Sequence, residues 1–329
     1  MTASADGGHV GIVLIGRNEG ARLIRALAAI PADVTRRVYV DSGSTDGSIA
    51  AARAAGAEVV ELDTRHGFTA ARARNAGFTR LMDGGTVDLV QFIDGDCELR
   101  EGWIDTARAF LAANDAVAVV CGRRRERFPE ASVYNRLCDW EWNTPVGEAL
   151  ACGGDAMMRS TVFQQVGGFN TRLIAGEEPE LCVRIRQAGW RVWRLDAEMT
   201  LHDAAMTRFA QWWKRTRRAG HAFAEGAAIH GAPPERHFVA PTRRALLWGV
   251  ALPAAALVAV PPTGGWSLIL LLAYPAQVLR LARRAGIGGR ESWEKAFFLV
   301  LGKVPEAIGV AEYWLRRLFR RPAGLIEYK

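Results

Sequence analysis

Residues 88–98 read DLVQFIDGDCE, and this stretch decides the predicted fold. Its first half is an almost continuous apolar run, which is typical of a parallel strand that is buried on both faces. The run ends abruptly at Asp94, Gly95 and Asp96. In an open α/β sheet, ligands bind beyond the carboxyl ends of the strands. The stretch therefore predicts a buried strand that carries two carboxylates to a binding edge.

The two carboxylates, Asp94 and Asp96, suggest a site for a divalent metal ion. Carboxylate oxygens are hard ligands that suit Mg²⁺ or Mn²⁺, and such an ion usually bridges protein carboxylates to substrate phosphates. Gly95 lets the backbone approach a ligand closely. The alternative is a strand followed by an ordinary acidic turn, because Asp and Gly are common turn residues. The spacing of the two carboxylates is compatible with both interpretations.

Strand and helix patterns alternate along the first hundred residues. Strand-like runs cover residues 10–15, 37–40, 57–62 and 89–94, and helical patterns cover residues 18–30, 48–55 and 68–82. This alternation predicts an α/β fold, with a doubly wound, mostly parallel sheet flanked by helices. Loops after parallel strands meet at one edge, which brings Arg17, Asp41 and Asp94 around one cleft. The sequence has no dinucleotide fingerprint and no P-loop lysine there, so ordinary NAD and ATP sites are not expected.

Length and charge limit the organisation and the partners of the chain. With 329 residues, half of them hydrophobic, the chain can form one large domain or two modest ones. We expect an α/β domain over residues 1–240 and a C-terminal helical region over residues 241–329. The net charge is +7, and basic residues gather between residues 280 and 321 beside apolar segments. This pattern favours a membrane surface with anionic lipids as the partner and predicts no nucleic-acid partner.

The cysteines and the N-terminus indicate the compartment. The five cysteines are odd in number and never form C-x-x-C, so we expect reduced thiols that bind no metal. The first residues, MTASADGGHV, lack the positive segment and apolar core of a signal peptide. The α/β domain is therefore expected in the cytoplasm.

Two apolar arms, residues 245–260 and 266–279, are separated by the turn signal PPTGG. Arginines flank the outer end of each arm, which places both ends on the cytoplasmic side of a membrane. Each arm is short compared with the roughly 20 residues of a membrane span. The pattern predicts an apolar helical hairpin that inserts shallowly, re-enters or crosses. The alternative is a hairpin buried against the α/β domain.

A second apolar stripe follows the hairpin. Its residues recur at steps of four and three and are Phe297, Leu301, Val304, Ile308, Ala311, Leu315 and Leu318. This periodicity predicts an amphipathic helix that lies on a membrane surface or packs on a partner.

Six sequence blocks, in one order, give residues 10–226 a resemblance to family 2 glycosyltransferases of the GT-A fold. The blocks are IVLIGRNE, VDSGSTDGS, AARARNAG, QFIDGDCEL, CGGDAMMRSTVFQQVGGFN and GEEPELCVRIRQAGW. The resemblance implies an inverting enzyme that moves a sugar from a nucleoside-diphosphate sugar to a hydroxyl acceptor, with Mn²⁺ or Mg²⁺ as cofactor. A position on the cytoplasmic face of the cell membrane suggests a lipid-linked glycan or a cell-surface polysaccharide precursor as acceptor.

The same resemblance assigns residues to the nucleotide sugar. Asp41 contacts the nucleoside base, and Arg17 and Glu19 line the same pocket. Arg74 helps to bind the nucleotide, and Asp94 contacts the diphosphate together with the metal ion.

The metal ligands implied by the resemblance are Asp94 and Asp96. His202 is a further candidate ligand, because a histidine reaches the metal or the diphosphate in some GT-A enzymes. Its alternative role is structural, as for most single histidines.

The catalytic base is expected in the acidic pair Glu177 and Glu178. The family usually has Glu-Asp at this place, so Glu178 lengthens the second carboxylate by one methylene. We assign Glu178 as the base and Glu177 as the residue that orients it or the acceptor. Glu180 and Asp155 are the other candidates, and an acidic helix N-terminus is also explained by the helix dipole alone.

Two function classes compete with the transferase. Asp94-Gly95-Asp96 also resembles the start of an aspartate-nucleophile phosphotransferase site, but in those enzymes the motif ends the first strand, whereas three βα units precede it here. The other alternative is a catalytically silent, transferase-like membrane scaffold.

Overall fold

The computed structural model describes residues 8–63, 65, 67–286 and 289–319. The N-terminal residues 1–7 and two of the tail arginines, Arg320 and Arg321, lie outside the described residues. The chain divides between Ala205 and Met206 into two compact units, each of which is described by itself below.

Among the described residues of the N-terminal unit, nine strands form one sheet in the order β3-β2-β1-β4-β8-β6-β9-β5, with β7 beside β9. The strands are β1 (Val10–Gly16), β2 (Arg36–Asp41), β3 (Glu58–Glu61), β4 (Leu89–Asp94), β5 (Cys97–Leu99), β6 (Val117–Glu126), β7 (Gly147–Glu148), β8 (Ala156–Arg159) and β9 (Arg191–His202). Strands β1 to β4 are parallel, whereas β8 runs antiparallel between β4 and β6. The predicted α/β sheet is confirmed.

Helices flank this sheet. They are α1 (Ala21–Ala28), α2 (Ser48–Ala54), α3 (Ala70–Asp83), α4 (Trp103–Ala113), α5 (Val133–Trp142), α6 (Ser160–Gln165) and α7 (Glu177–Gln187). The first three helices and the first four strands lie where the sequence pattern predicts them.

Strand β9 is longer than the sequence pattern indicates. The apolar pattern ends at Leu195, but the strand continues to His202 because it pairs with β6 and, over its last residues, with β5. Cys97 lies opposite His202 in this register. The pairing therefore brings His202 beside the Asp94-Gly95-Asp96 turn.

Helix α3 is held close to the sheet. A Cβ at Gly77 would lie only 2.4 Å from Cγ1 of Val13. The helix therefore packs so closely on β1 that only glycine fits at this position. A cluster of phenylalanine rings, with centroids 4.6 to 5.4 Å apart, fixes the neighbouring segments. Its members are Phe78, Phe92, Phe163 and Phe169. This packing fixes Arg74, one helical turn before Gly77.

The C-terminal unit is helical. It contains α8 (Phe209–His230), α9 (Val239–Leu246), a π-helical turn (Leu247–Ala251), α10 (Leu252–Val258), α11 (Val260–Thr263), a 3₁₀ segment (Trp266–Leu272), α12 (Ala273–Arg284), α13 (Arg290–Leu301) and α14 (Lys303–Leu318). Helix α8 belongs to this unit because it packs along α14. The division into compact units therefore places α8 with the helices that follow it.

The predicted apolar hairpin is present in this unit. Gly264 and Gly265 form its turn with positive φ angles of 57° and 92°. Ser267 Oγ donates a hydrogen bond of 2.6 Å to the carbonyl of Ala256 in the opposite arm, and Tyr274 donates to the carbonyl of Trp248. No helix within the described ranges is long and apolar enough to cross a membrane.

The predicted amphipathic helix is two helices, α13 and α14, which meet at Gly302. Pro305 contributes to this break because it has no N–H to continue the hydrogen bonding of α13. The buried residues of α14 include Ala307, Gly309 and Val310. The predicted stripe lies on the other side: Leu315 is 53% exposed and Leu318 is 73% exposed.

Helices α8 and α14 touch at their backbones. A Cβ on Gly309 would lie 2.0 Å from the carbonyl oxygen of Arg217, and one on Gly220 would lie 2.0 Å from that of Glu306. Two titratable groups are enclosed beside this contact, with His221 Nδ1 3.7 Å from Glu225 Oε2. Burial raises the pKa of Glu225 from 4.5 to about 7. Burial, followed by Arg316, lowers the pKa of His221 from 6.5 to about 4, so both groups are neutral near pH 5.5.

We expect Glu225→Gln to stabilise the protein at pH 8 but not at pH 4.5. Folded Glu225 keeps its proton up to about pH 7, whereas the unfolded carboxyl releases it near pH 4.5, so this group lowers the free energy of unfolding as pH rises between those values. The free energy of unfolding of the variant has no such loss. At pH 8 it should therefore exceed that of the unmodified chain by on the order of 1–3 kcal/mol. Urea unfolding at both pH values measures it. The exposed Glu291→Gln is the control, and an equal effect of Glu225→Gln at both pH values would contradict the expectation.

Candidate active site

The carboxyl ends of β1, β2 and β4 meet at one edge of the sheet. Gly16 lies opposite Asp41 in the register of β1 with β2, and Ile15 lies opposite Asp94 in that of β1 with β4. Gly95 donates a backbone hydrogen bond of 2.8 Å to the carbonyl of Ile15, and a Cβ on Gly95 would lie 3.1 Å from that oxygen. The glycine therefore permits the close approach of the two strand ends.

Asp41 organises the loop after β2. Its Oδ1 accepts hydrogen bonds from the amides of Gly43 and Ser44 at 2.9 and 2.7 Å, and its Oδ2 accepts one from the Tyr39 hydroxyl at 3.1 Å. Burial, followed by the charge of Asp41, raises the pKa of Tyr39, which keeps this hydroxyl a donor. The buried carboxylate thus holds the loop in a fixed conformation.

Arg17 and Glu19 follow β1 at the same edge. The guanidinium of Arg17 lies 4.5 Å above the ring centroid of Phe68. Glu19 Oε2 lies 2.8 Å from Arg22 Nη2. The structure brings these residues and Asp41 to neighbouring strand ends, as the sequence predicts.

Arg74 joins two of the predicted acidic groups. Its buried guanidinium donates to Asp94 Oδ1 at 2.7 Å and to Glu177 Oε1 at 2.8 Å. Burial raises the pKa of Asp94, and the charges of Arg74 and Arg124 outweigh that effect, so its pKa is lowered. Asp94 is therefore a carboxylate at neutral pH, with its side chain 28% exposed.

A second arginine, Arg124 on β6, faces the same carboxylate. Its Nη2 lies 2.8 Å from Asp155 Oδ2 and 3.5 Å from Asp94 Oδ2. Asp155 also accepts hydrogen bonds from the backbone amide of Asp94 at 3.1 Å and from Thr200 Oγ1 at 2.9 Å. Asp155 is fully buried and connects Arg124 to the end of β4 at Asp94.

Asp96 and His202 form a second group. Asp96 Oδ1 lies 3.4 Å from His202 Nε2, and Glu126 Oε2 lies 3.7 Å from His202 Nδ1. Burial lowers the pKa of His202, but Asp96 and Glu126 more than offset this, so the net shift is upward. The rings of Trp142 and His202 are nearly perpendicular, with their centroids 4.6 Å apart.

The donor atoms at this place fit a divalent metal ion. Potential ligand atoms of Asp96, Cys97 and His202 lie within 4.8 Å of one another. A carboxylate oxygen and an imidazole nitrogen suit Mn²⁺. A carboxylate on the far nitrogen is the usual way to orient a ligating histidine, and Glu126 has that position. Asp94, the third predicted ligand, is held by Arg74 and Arg124 instead.

The two glutamates of the predicted catalytic pair face different groups. Glu177 contacts Arg74, whereas Glu178 Oε1 accepts hydrogen bonds from the amide of Cys152 at 2.6 Å and from the thiol of Cys182 at 3.2 Å. Glu180 is buried and paired with Arg184 at 2.7 Å within α7. The choice of Glu178 as base stays a prediction.

Sequence reasoning missed Arg124, Glu126 and Trp142. The first two lie in the stretch VAVVCGRRRE, where charged residues continue an otherwise apolar strand. Charge on a buried strand is unusual and was the available signal. Trp142 ends α5 and has no comparable signal.

Comparisons with known proteins bear on the family and the fold of this chain. The model of the family described as Glycosyl transferase family 2 matches residues 12–165. An uncharacterized glycosyltransferase of Mycobacterium bovis is 30% identical over an alignment of 204 residues, and the match covers 58% of this chain and 84% of the relative. The chain belongs to glycosyltransferase family 2.

Other relatives of this family 2 glycosyltransferase differ in length. A pre-mycofactocin glycosyltransferase of Mycobacterium tuberculosis is 27% identical over an alignment of 243 residues, and the match covers 67% of this chain and 48% of the relative. This chain thus spans about half of that relative. The solved structure of the mannosyltransferase PcManGT from Pyrobaculum calidifontis, in complex with GDP-Man and Mn²⁺, matches with a TM-score of 0.66 at 21% identity. The match covers 92% of this chain and 87% of PcManGT. The shared fold is that of GT-A glycosyltransferases.

Proposed function

We propose that this chain transfers a sugar, with inversion, from a nucleoside-diphosphate sugar to a hydroxyl acceptor, with Mn²⁺ or Mg²⁺ as cofactor. One observation carries the proposal: buried Arg74 connects Asp94, at the end of β4, to Glu177, at the start of α7. This contact joins the part of the site that is predicted to bind the nucleotide to the part that is predicted to bind the acceptor. A site that holds both molecules suits group transfer better than hydrolysis of the nucleotide alone.

Charged groups of both signs support binding of a nucleoside diphosphate. Arg74 and Arg124 place two guanidinium charges beside Asp94, where they are proposed to attract the diphosphate. The Asp41 loop, with Arg17 and Glu19, is proposed to hold the nucleoside. These groups lie at the ends of neighbouring strands, where nucleotides bind in open α/β sheets.

The proposed metal ligands are Asp96 and His202, with Asp94 on the side of the diphosphate. When bound, the ion would offset the negative charge of the departing diphosphate. The complex of PcManGT with GDP-Man and Mn²⁺ supports this choice of donor and ion, although at 21% identity that protein shares only the fold with this chain.

Inversion requires the acceptor hydroxyl to attack the anomeric carbon from the face opposite the leaving diphosphate. A carboxylate on the acceptor side must take the hydroxyl proton. We assign this role to Glu178, whose position is fixed by the hydrogen bonds to its Oε1 from Cys152 and Cys182. Its other oxygen, Oε2, is proposed to accept the proton.

The test of the function is a nucleotide screen. The purified chain is heated with UDP, GDP, CMP or dTDP compounds, each with and without Mn²⁺. A nucleotide at about 100 times its Kd should stabilise the folded state by about 2.7 kcal/mol. We expect one nucleotide class to raise the melting temperature only with the metal ion. A chain that no nucleotide stabilises under either condition would contradict the proposal.

We further propose that the C-terminal unit binds the cytoplasmic face of the cell membrane. The observation behind this is the exposure of large apolar side chains on the hairpin: Val258 is 77% exposed, Trp266 is 79% exposed and Ile269 is 59% exposed. Exposed arginines, Arg243 and Arg283 among them, flank these arms and suit anionic headgroups. A lipid-linked glycan is the acceptor that fits this location.

We expect the triple variant Val258→Ser, Trp266→Ser, Ile269→Ser to bind vesicles with anionic lipids at least about tenfold more weakly than the unmodified chain. The three side chains are exposed, so the fold should persist. Vesicle co-sedimentation measures the effect. The control is the double variant Ile24→Ser, Val146→Ser, in which both side chains are 56% exposed but lie in the N-terminal unit. Equal loss in both variants would exclude the hairpin as the membrane-binding surface.

A further inference from the structure

A buried cluster of two thiols and one carboxylate lies beside the acceptor side of the site. Cys152 Sγ is 3.6 Å from Cys182 Sγ, and Cys182 Sγ is 3.2 Å from Glu178 Oε1. Cys182 is fully buried, and Cys152 and Glu178 are each 7% exposed. One potential ligand atom from each of the three residues lies within 4.8 Å of the others.

The local sequence explains why these atoms converge. Glu178 and Cys182 are four residues apart on α7, so their side chains lie on the same face of the helix. Cys152 comes from the irregular segment between β7 and β8. Gly153 follows it with a φ of 83°, a conformation that glycine adopts without strain, and this bend places Cys152 against α7. The cluster thus combines two ligands on a rigid helix with one on a loop.

Two of the three distances between these atoms are close to those of tetrahedral zinc coordination. With Zn–S bonds of about 2.3 Å and a Zn–O bond of about 2.0 Å, two ligated sulfurs lie about 3.8 Å apart and a sulfur and an oxygen lie about 3.5 Å apart. The observed distances are 3.6 and 3.2 Å, so shifts of a few tenths of an ångström suffice. Thiolates are soft ligands that favour Zn²⁺ over Mg²⁺ or Mn²⁺.

We propose that Cys152, Cys182 and Glu178 form an inhibitory Zn²⁺ site, separate from the Mn²⁺ or Mg²⁺ ligands Asp96 and His202. On binding, two Zn–S bonds form while the two thiols release their protons to solvent, and the carboxylate of Glu178 becomes the third ligand. Inhibition rests on the proposed function, because it follows from the role of Glu178 as the base. The binding of zinc does not depend on that role.

The binding test uses the full chain, freed of metals and kept reduced. Zn²⁺ is titrated against a chromophoric chelator, and Co²⁺ is used as a spectroscopic probe, since cobalt bound by thiolates gives a charge-transfer band. We expect about one Zn²⁺ per chain at this site. Cys182→Ala and Cys152→Ala should each abolish this binding and the cobalt band.

Two matched controls identify the site. Cys138→Ala removes another buried thiol, and Cys97→Ala removes the thiol beside Asp96 and His202. Both variants should keep the zinc and the cobalt band that Cys152→Ala and Cys182→Ala lose, and any zinc lost only in Cys97→Ala is assigned to the Asp96 and His202 group. The folding of every variant is checked by its melting temperature. Cys152 lies on a loop, so Cys152→Ala is the variant that should disturb the packing least.

Inhibition is measured separately, in the transfer reaction at saturating Mn²⁺. Zinc should inhibit the unmodified chain but not the Cys182→Ala variant. The site is refuted if the unmodified chain binds no Zn²⁺, if Cys182→Ala binds it undiminished, or if the two thiols form a disulfide in place of binding metal. Zinc binding at the cluster without zinc-sensitive transfer would overturn the inhibitory role and would point to a base other than Glu178.

Discussion

Asp96→Asn is expected to lower the affinity for a nucleoside diphosphate in the presence of Mn²⁺ by more than about 100-fold. Losing an outer-shell partner of a metal ligand typically costs 10- to 100-fold, and Asp96 is proposed as a direct ligand. The substitution keeps the size of a side chain that is only 3% exposed. The fold should therefore survive, and calorimetric titration of the variant measures the loss.

The control for this variant is Asp105→Asn, which removes an aspartate whose side chain is 71% exposed on α4. We expect it to bind the nucleotide like the unmodified chain. A parallel titration without Mn²⁺ separates the two contributions, because Asp96→Asn should then differ little from the unmodified chain. Unchanged affinity of Asp96→Asn in Mn²⁺ would remove this residue from the metal site, and Asp94→Asn would be examined next.

The sequence predicted the parallel half of the sheet and its edge. When helical patterns separate several short apolar runs, and each run ends in polar residues, a parallel α/β sheet is the structure that the pattern favours. The placement of β4 and of the carboxylate of Asp94 at its end follows from this local pattern alone. The contacts of Asp94 with Arg74 and Arg124 do not, because they depend on how distant segments pack.

The antiparallel strand β8 is the main reason why the sequence did not predict the position of Arg124. It lies between β4 and β6, so it brings Asp155 beneath the amide of Asp94 and places Arg124 within 3.5 Å of the Asp94 carboxylate. A strand of four residues has too little periodicity to reveal its neighbours. The role of Arg124 therefore required the three-dimensional pairing.

The packed face of α14 was not evident from the sequence. The periodic apolar stripe through Leu315 and Leu318 is predicted to lie on a membrane surface or to pack on a partner, and the buried residues of α14 include Gly309 on a different face. Glycine adds nothing to an apolar pattern but allows the backbones of α8 and α14 to touch. The stripe is left exposed, which is the arrangement that a membrane-binding surface would need.

The sequence alone also does not decide whether Glu177 or Glu178 is the catalytic base. Neighbouring residues on an α-helix point about 100° apart, so only one of the two can face a given group. In the structure, Glu177 faces Arg74 and Glu178 faces the thiols of Cys152 and Cys182. Family resemblance favours Glu178, while Glu177 is the residue that shares a partner with Asp94.

Glu178→Gln is expected to reduce the transfer rate by about 10²- to 10⁴-fold, the usual contribution of general-base catalysis, while nucleotide binding stays normal. Glutamine keeps the shape of the side chain and can still accept the hydrogen bond from the amide of Cys152, but it cannot take a proton from the acceptor. Single-turnover measurements separate the loss of chemistry from any effect on acceptor binding.

Glu177→Gln is the matched control, because it makes the same chemical change one residue away. Its expected effect is of a different kind: the buried guanidinium of Arg74 loses one of its two carboxylate partners, so nucleotide affinity and stability should change more than the rate of the bound complex. If Glu177→Gln instead shows the large rate loss and Glu178→Gln turns over almost normally, the base is Glu177. If neither rate falls, the proton is taken elsewhere on the acceptor side. Asp155 is then the next carboxylate to test, although its full burial and its pairing with Arg124 make it the poorer proton acceptor.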